Sequence, residues 1–384
     1  MSATALDHEH RVTPRELFFD LVFVFAFTQV ATLLADDPTF AGIGRGVLVL
    51  AALWWAWAAY AWLTNVVDPE EGVVGAALLV ALIAMFVAAL AVPNVFEDKG
   101  VLFGAAFLVV CAMHTALYSL AGRGSPDLLR AVLRLAPWAL GGAAVILAAG
   151  FTDAARPWLW LAALTCTYVG AALTGSSGWR VHPAHFAERY GLVVIIALGE
   201  AFISIGIGAG GVAIGLREVV AAVLGLLVAT SFWLAYFDFF AIRGEHMLRS
   251  REGEARVALA RDIYVYAHLP MIVGIVLFAF AMKTVLGHVD EELDAAAAFA
   301  LCGGGALYLL SYSAIRSRLE RRLHLSRGRF VAALGLLLLL PVATAVPALA
   351  ALALVTAVWI ALHAYELVWW REARSESRSL LASP

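Results

Sequence analysis

Val73–Pro93 is a run of 21 residues without one charged side chain, and Val101–Ala121 is another of the same length. Gly328–Trp370 is almost as free of charge over twice that length. A helix needs roughly 20 apolar residues to cross about 30 Å of hydrocarbon, so each run reads as a membrane crossing. Composition agrees: 63% of residues are hydrophobic, 14% are charged, and the mean hydropathy is +0.87. Soluble domains sit near half apolar and a quarter charged. A soluble fold this apolar has no polar surface to show water.

Apolar runs bounded by charges, glycines and prolines predict an all-α, polytopic bundle of about twelve helices. The expected spans are 17–34, 46–66, 72–92, 101–121, 131–150 and 157–174, then 189–209, 217–240, 263–284, 295–315, 329–346 and 348–370. The last two are split at Pro347, with Pro341 before it. A single helix over 329–370 would run about 60 Å at 1.5 Å per residue, too long for one crossing. Residues 1–16 are expected as a short cytoplasmic segment, 17–174 as one six-helix unit and 175–188 as a linker. Residues 189–370 then form a second unit and 371–384 a tail. The first apolar run lacks a small-residue cleavage site and reads as a retained helix.

Lys and Arg set the orientation. With these spans, 21 of the 26 basic residues fall on the side of the N-terminus and five on the other: Arg45, Lys99, Arg156, Arg217 and Lys283. Both termini are therefore expected in the cytoplasm. The Arg-rich segments after the eighth and tenth helices are too short to fold as domains and suit anionic lipid headgroups. The net charge of −3 carries no nucleic-acid signal.

A faint repeat runs through the chain. Glu16 opens ELFFDLVFVFAFTQ and Glu188 opens ERYGLVVIIALGEA, 172 residues later. At nearly the same offset the aromatic run of Trp54, Trp55, Trp57, Tyr60 and Trp62 corresponds to that of Phe232, Trp233, Tyr236, Phe237, Phe239 and Phe240. Six helices per unit gives both units one orientation. Parallel repeats about an axis along the membrane normal are a known transporter arrangement.

Ionisable residues inside spans are the functional pointers, since each costs about 2.5–3.5 kcal/mol at the bilayer centre. Glu200 lies about eleven residues into the seventh span. No Lys or Arg occupies the central part of any span to pair it. It is expected either neutral or bound to a cation. A proton or cation site and a neutral acid tying two helices together fit equally. The offset of 172 sets it against Thr28, beside Gln29, at similar depth. Asp20, Asp238 and Asp262 lie near the cytoplasmic ends of spans. With Arg15, Arg189, Tyr264 and Tyr266 they are expected to form one polar mouth, although Asp20 and Asp262 also suit capping of first turns. Asp238 sits at a helix C-terminal end, which the dipole disfavours, and needs a partner. His268 lies just inside the ninth span, and His114 is deep in the fourth. His363 and Glu366 share one face of the twelfth. His182, His185 and Glu188 form a three-residue row before the seventh span, too few ligands for a metal site. Cys111, Cys166 and Cys302 are isolated in apolar runs and read as small buried side chains. No cofactor is expected. The phosphate-loop, GxSxG, HExxH and TVGYG patterns are missing from the sequence.

The segments ELFFDLVFVFAFTQ, ERYGLVVIIALGEAFISIG, AYFDFF and RDIYVYAHLP together resemble the bacterial low temperature requirement A (LtrA) family, over nearly the whole chain. That resemblance implies a multi-pass protein of the bacterial cytoplasmic membrane. The pattern Arg15…Phe19-Asp20 also looks like the first-helix signature of the lysosomal potassium channel family, which has six-helix repeats. Here the serine of that signature is missing, and the seventh span has no matching Phe-Asp. Three functions follow from these residues. A transporter or ion pathway would use Glu200 at the midplane and the aspartates as a mouth, with membrane lipid as neighbour and a small ion or small molecule as cargo. A lipid-modifying intramembrane enzyme would use the same groups as acid and base. A non-catalytic stress-adaptation protein would use them structurally. A homodimer is compatible with each.

Overall fold

The computed structural model describes residues 12–70, 72–210, 214–320 and 327–369. Most of the expected N-terminal segment and all of the tail 371–384 lie outside the described residues. So do Arg11, Arg321, Arg322, Arg371, Arg374 and Arg378 of the charge count.

Every expected span is met by helix. The first six are α1 (Pro14–Asp36), α2 (Phe40–Thr64), α3 (Gly72–Ala91), α4 (Gly100–Ala121), α5 (Pro126–Ala149) and α6 (Arg156–Leu173). Then follow α7 (Pro183–Gly210), α8 (Leu216–Ala235), α9 (Ala241–Arg249) and α10 (Gly253–Ala260). The last are α11 (His268–Gly287), α12 (Ala295–Glu320), α13 (Arg327–Leu338), α14 (Leu340–Ala343) and α15 (Ala348–Trp369). A π-helical turn, Tyr236–Phe240, joins α8 to α9, and another, Arg261–Ala267, joins α10 to α11. Among the described residues ten helices are long and apolar enough to cross a membrane. The chain is an all-helical, multi-pass membrane protein. The two expected spans outside those ten are α6 and α13–α14. Arg156 opens α6, only 18 residues long. The run after Arg327 breaks before Pro341 into helices of 12 and 4 residues, because proline has no N–H to continue the ladder.

Local chemistry explains where the helices start. A capping box opens α1: the Thr13 amide donates to Glu16 (2.9 Å) and the Glu16 amide donates to Thr13 Oγ1 (3.4 Å). Pro183 begins α7 and Pro126 begins α5, where a missing N–H costs nothing. Both helices therefore start about five residues before the apolar pattern does. For α7 this puts His185 and Arg189 in the same helix as Glu200. The break near Pro347 falls as expected, and its backbone is satisfied from outside: Ala348 N–H donates to the Glu291 carbonyl (2.7 Å) and Leu349 N–H to Val289 (3.1 Å).

In the first half α1 packs on α2 and α3, α3 on α4, α4 on α5 and α5 on α6. In the second α7 packs on α8 and α11, α11 on α12, α12 on α13 and α13 on α15, which also meets α8. The halves join chiefly where α1 lies against α7 and α11. Contacts at both ends fix helix direction. Glu16 meets Arg189 and Thr28 meets Glu200, so α1 and α7 run the same way. The Tyr190 ring meets that of His268 edge to face and Gly208 abuts Lys283, so α11 runs with α7. Arg15 lies by Gly75 and Phe25 by Phe86, so α3 runs with α1.

Small residues allow the closest crossings. A Cβ on Gly104 would stand 2.4 Å from the Leu147 Cα, where α4 crosses α5. One on Gly274 would stand 2.5 Å from the Gly304 carbonyl, where α11 crosses α12. The outer faces stay apolar. Leu79, Ile83, Phe86 and Leu90 form an exposed stripe on α3, as a lipid-facing helix requires.

Candidate functional site

The α1–α7 interface carries two polar layers. The first lies near the start of both helices. Arg189 Nη1 donates to Glu16 Oε1 (2.6 Å) and to Thr64 Oγ1 (3.2 Å), and its Nη2 donates to Asp20 Oδ1 (2.8 Å). The Trp57 indole N–H donates to the same Asp20 oxygen (2.9 Å), and the Arg189 guanidinium lies 5.8 Å from the Trp57 ring centre. His185 Nε2 sits 3.0 Å from Glu16. Asn65 holds this histidine from behind: its amide nitrogen is 3.1 Å from His185 Nδ1, and its oxygen accepts from the His182 amide (2.7 Å). An amide nitrogen only donates, so Nδ1 accepts and the ring hydrogen sits on Nε2, toward Glu16. Glu16, Asp20, His185 and Arg189 are each only 1% exposed. Two carboxyls therefore share one guanidinium, and Asp20 Oδ2 has no protein partner.

The second layer surrounds Glu200, also 1% exposed. Ser204 Oγ donates to Glu200 Oε1 (2.8 Å), and Thr28 Oγ1 is hydrogen-bonded to Oε2. Thr28 Oγ1 also lies 3.1 Å from the Val24 carbonyl, which only accepts. A hydroxyl has one hydrogen, so Thr28 cannot donate to both. Gln29 is half-buried beside it. Lys283 of α11 lies against Gly208, eight residues further along α7 than Glu200. Between the layers the same helix faces present Phe23 and Phe27 on α1, and Val193 and Ala197 on α7, all fully buried.

His268 occupies an aromatic cage between the two π turns. Its Nδ1 lies 2.9 Å from the Ile263 carbonyl and its Nε2 lies 3.1 Å from the Tyr236 hydroxyl. Nδ1 therefore carries the ring hydrogen and Nε2 accepts. Tyr264 stacks on the ring at 5.1 Å, and Tyr190 and Phe240 flank it. The π turns aim Tyr236 and Tyr264 at this point, and such turns often mark functional sites.

The three aspartates have different surroundings. Asp20 is buried in the first layer. Asp238 is exposed on its π turn, and Asp262 pairs with Arg261 (3.1 Å) and Arg318 (3.0 Å). The Tyr266 hydroxyl donates to the Tyr168 carbonyl (3.0 Å). Exposed Glu188 accepts from the Val12 amide (3.3 Å), so the row His182, His185, Glu188 splits. Among the described residues no cluster of histidine, cysteine and acidic side chains is arranged to hold a metal. His363 and Glu366 do meet, at 3.9 Å, and Glu366 is held by Arg329 at 2.7 Å. That guanidinium stacks 3.7 Å over Tyr312.

In the sequence Glu16 only marks the repeat, whereas Arg189 opens the seventh span and is expected beside Asp20, where it is found. Trp57 appears there only in the aromatic run, His185 only in the row before the seventh span, and Asn65 in no pattern. The available signal was Pro183, which starts α7 early enough to carry His185 inside.

The model of the family described as "Bacterial low temperature requirement A protein (LtrA)" matches residues 11–364. A Rhizobium meliloti (strain 1021) relative, "Uncharacterized protein RA0937", is 29% identical over 317 residues, spanning 77% of this chain and 74% of its own. No solved structure matches.

Proposed function

The chain belongs to the bacterial low temperature requirement A family, and from that premise we propose that it is a membrane transporter or ion pathway moving a proton or a small cation between its two halves. The observation that carries this reading is the contact between Thr28 and Glu200. These residues are 172 apart, the spacing of the sequence repeat. Equivalent residues of two repeats touch only on the axis that relates them, so the carboxyl sits on that axis.

Other features support twelve spans in two parallel six-helix repeats, 17–174 and 189–370. The α1–α3–α4–α5–α6 order of neighbours returns as α7–α11–α12–α13–α15. The Tyr118 hydroxyl donates to the Trp62 carbonyl (2.8 Å), and Tyr308 donates to Phe232 (2.7 Å), which ties the fourth span of each repeat to its second. Parallel α1 and α7 need an odd number of crossings between them, which α2 to α6 supply only if α6 crosses as well.

Along this axis a proton or cation meets two stations. Asp20 and Glu16, sharing Arg189, form one, and Glu200 with Thr28 and Ser204 forms the other. Eight residues of α1 separate Asp20 from Thr28, about 12 Å at 1.5 Å per residue. The Phe23–Phe27 layer closes the route between them. A third hydrogen at Glu200 lets Thr28 donate to Val24 and still bond the carboxyl. Loss of that hydrogen, or its replacement by a cation, changes the α1–α7 contact, which couples occupancy to movement of the halves. The basic-residue bias puts both termini in the cytoplasm and the Asp20 station nearer that side of the bacterial inner membrane. A cytoplasm-dependent reporter fused at residue 384 should be active, and one near Asp290 silent.

Purified protein in liposomes tests the function. Under imposed pH, Na⁺ or K⁺ gradients, wild type should dissipate at least one faster than empty liposomes, and Asp20→Asn should slow it. No flux under any of the three gradients refutes the proposal.

A further inference from the structure

The carboxyl layer at the start of α1 and α7 contains a histidine whose hydrogens are decided from behind. His185 Nε2 lies 3.0 Å from Glu16 Oε1 and 3.2 Å from Oε2, and both side chains are buried. A carboxylate beside an imidazole favours the charged ring, with a hydrogen on each nitrogen. Here the second nitrogen is closed to one. Asn65 follows the last residue of α2 and is buried, and its amide nitrogen faces His185 Nδ1 at 3.1 Å.

The orientation of that amide is fixed twice. Its oxygen accepts from the His182 N–H (2.7 Å), and its nitrogen donates to the His182 carbonyl (3.2 Å). Turned over, the amide would set its NH₂ against an N–H and its oxygen against a carbonyl. Both amide hydrogens are thus spent, one on the His182 carbonyl and one on His185 Nδ1. A hydrogen on Nδ1 would meet a hydrogen of Asn65, so Nδ1 accepts. His185 therefore gives Glu16 a donor and no charge.

The charge of the layer depends on this. Glu16 and Asp20 of α1 face one guanidinium, that of Arg189 on α7. From α2 come the neutral Trp57, Thr64 and Asn65. His182 and Glu188, near His185 in sequence, are exposed. Arg256 of α10 reaches the Val181 carbonyl and is spent there and on the carbonyls of Leu248 and Arg251. With His185 uncharged and both carboxyls ionised, the layer is one positive charge short. Asp20 Oδ2 is its carboxyl oxygen without a protein partner. An imidazolium at His185 would make up the deficit from within and leave no place for a cargo.

We propose that Asn65 is a positioning residue of the ion route. By holding His185 in its uncharged Nε2–H form, it keeps open at Asp20 a place for one monovalent cation, a proton included. This role rests on the ion-pathway reading; the position of the hydrogen on His185 does not.

Nitrogen-15 NMR of ring-labelled histidine, on the full chain in liposomes, reads the hydrogens directly. The His185 signals are those missing from His185→Gln. At neutral pH the wild type should show a hydrogen on Nε2 and a bare Nδ1. Asn65→Asp keeps the size but turns the donor into an acceptor, and should place a hydrogen on both nitrogens. An Asn65 that only braces the turn would leave the ring pattern unchanged. A wild-type hydrogen on Nδ1, or a bare Nδ1 in Asn65→Asp, overturns the proposal whether or not the protein conducts. Flux under the gradient that wild type dissipates reads the consequence. His185→Lys puts a fixed charge beside Glu16, and its flux should fall at least about tenfold below that of His185→Gln. Equal flux in the two variants overturns the role in transport. Absence of flux in wild type refutes the ion pathway and this role with it, while the NMR result still decides whether Asn65 holds the ring.

Discussion

Replacing Arg189 by glutamine removes the one cation that two buried carboxyls share. Arg189 makes a 2.6 Å bond to Glu16, a 2.8 Å bond to Asp20 and a 3.2 Å bond to Thr64, all from a side chain 1% exposed. Two charge-assisted bonds at about 1.5–3 kcal/mol each are lost. What remains is worse than their absence: Glu16 keeps His185, Asp20 keeps Trp57, and neither keeps a balancing charge. Breaking a buried pair from one side typically costs about 3–5 kcal/mol, and that is the expected loss here. Unfolding of purified protein in mixed detergent micelles, followed by tryptophan fluorescence, reads it. The control is the double variant. Asp20→Asn removes one of the stranded charges, so adding it to Arg189→Gln should restore about 2 kcal/mol relative to additivity. A single variant within about 1 kcal/mol of wild type, or strict additivity in the cycle, refutes the reasoning that this network is a buried, interdependent unit.

Other consequences are local. Gly104→Leu forces α4 from α5, because its Cβ meets backbone at 2.4 Å; thermal unfolding should show a loss of at least about 1–3 kcal/mol. His268→Phe strands the Ile263 carbonyl and the Tyr236 hydroxyl, and the same scan should show a loss of about 1–3 kcal/mol. Arg329→Met should destabilise by about 3–5 kcal/mol through an unbalanced Glu366, and Arg329→Met with Glu366→Leu should regain most of it.

Helix positions were legible because lipid imposes a length and an absence of charge, and α1 through α5 follow those runs closely. The ends were less legible because a helix outlives its apolar stretch. α8 continues through a π turn into the polar α9, and α10 leads into α11 from outside. Apolarity marks where lipid stops, whereas capping and proline mark where helix stops, as Thr13 and Pro183 illustrate. Glu200 and Thr28 could be paired from sequence through the 172-residue offset. Arg189 with Glu16 could not, since partners 173 apart leave no local pattern. The expected mouth of three aspartates rested on shared depth alone, and depth does not fix which way a helix turns its face. Asp20 turns inward to Trp57 while Asp238 turns out.

The most direct test of the central claim is the flux of Glu200→Gln in liposomes. Glutamine keeps the size and the hydrogen bonds to Thr28 and Ser204 but neither titrates nor carries charge. The account predicts a protein that unfolds like wild type yet loses the proton or cation flux, along with its dependence on pH. A folded Glu200→Gln protein with undiminished, still pH-dependent flux would contradict it.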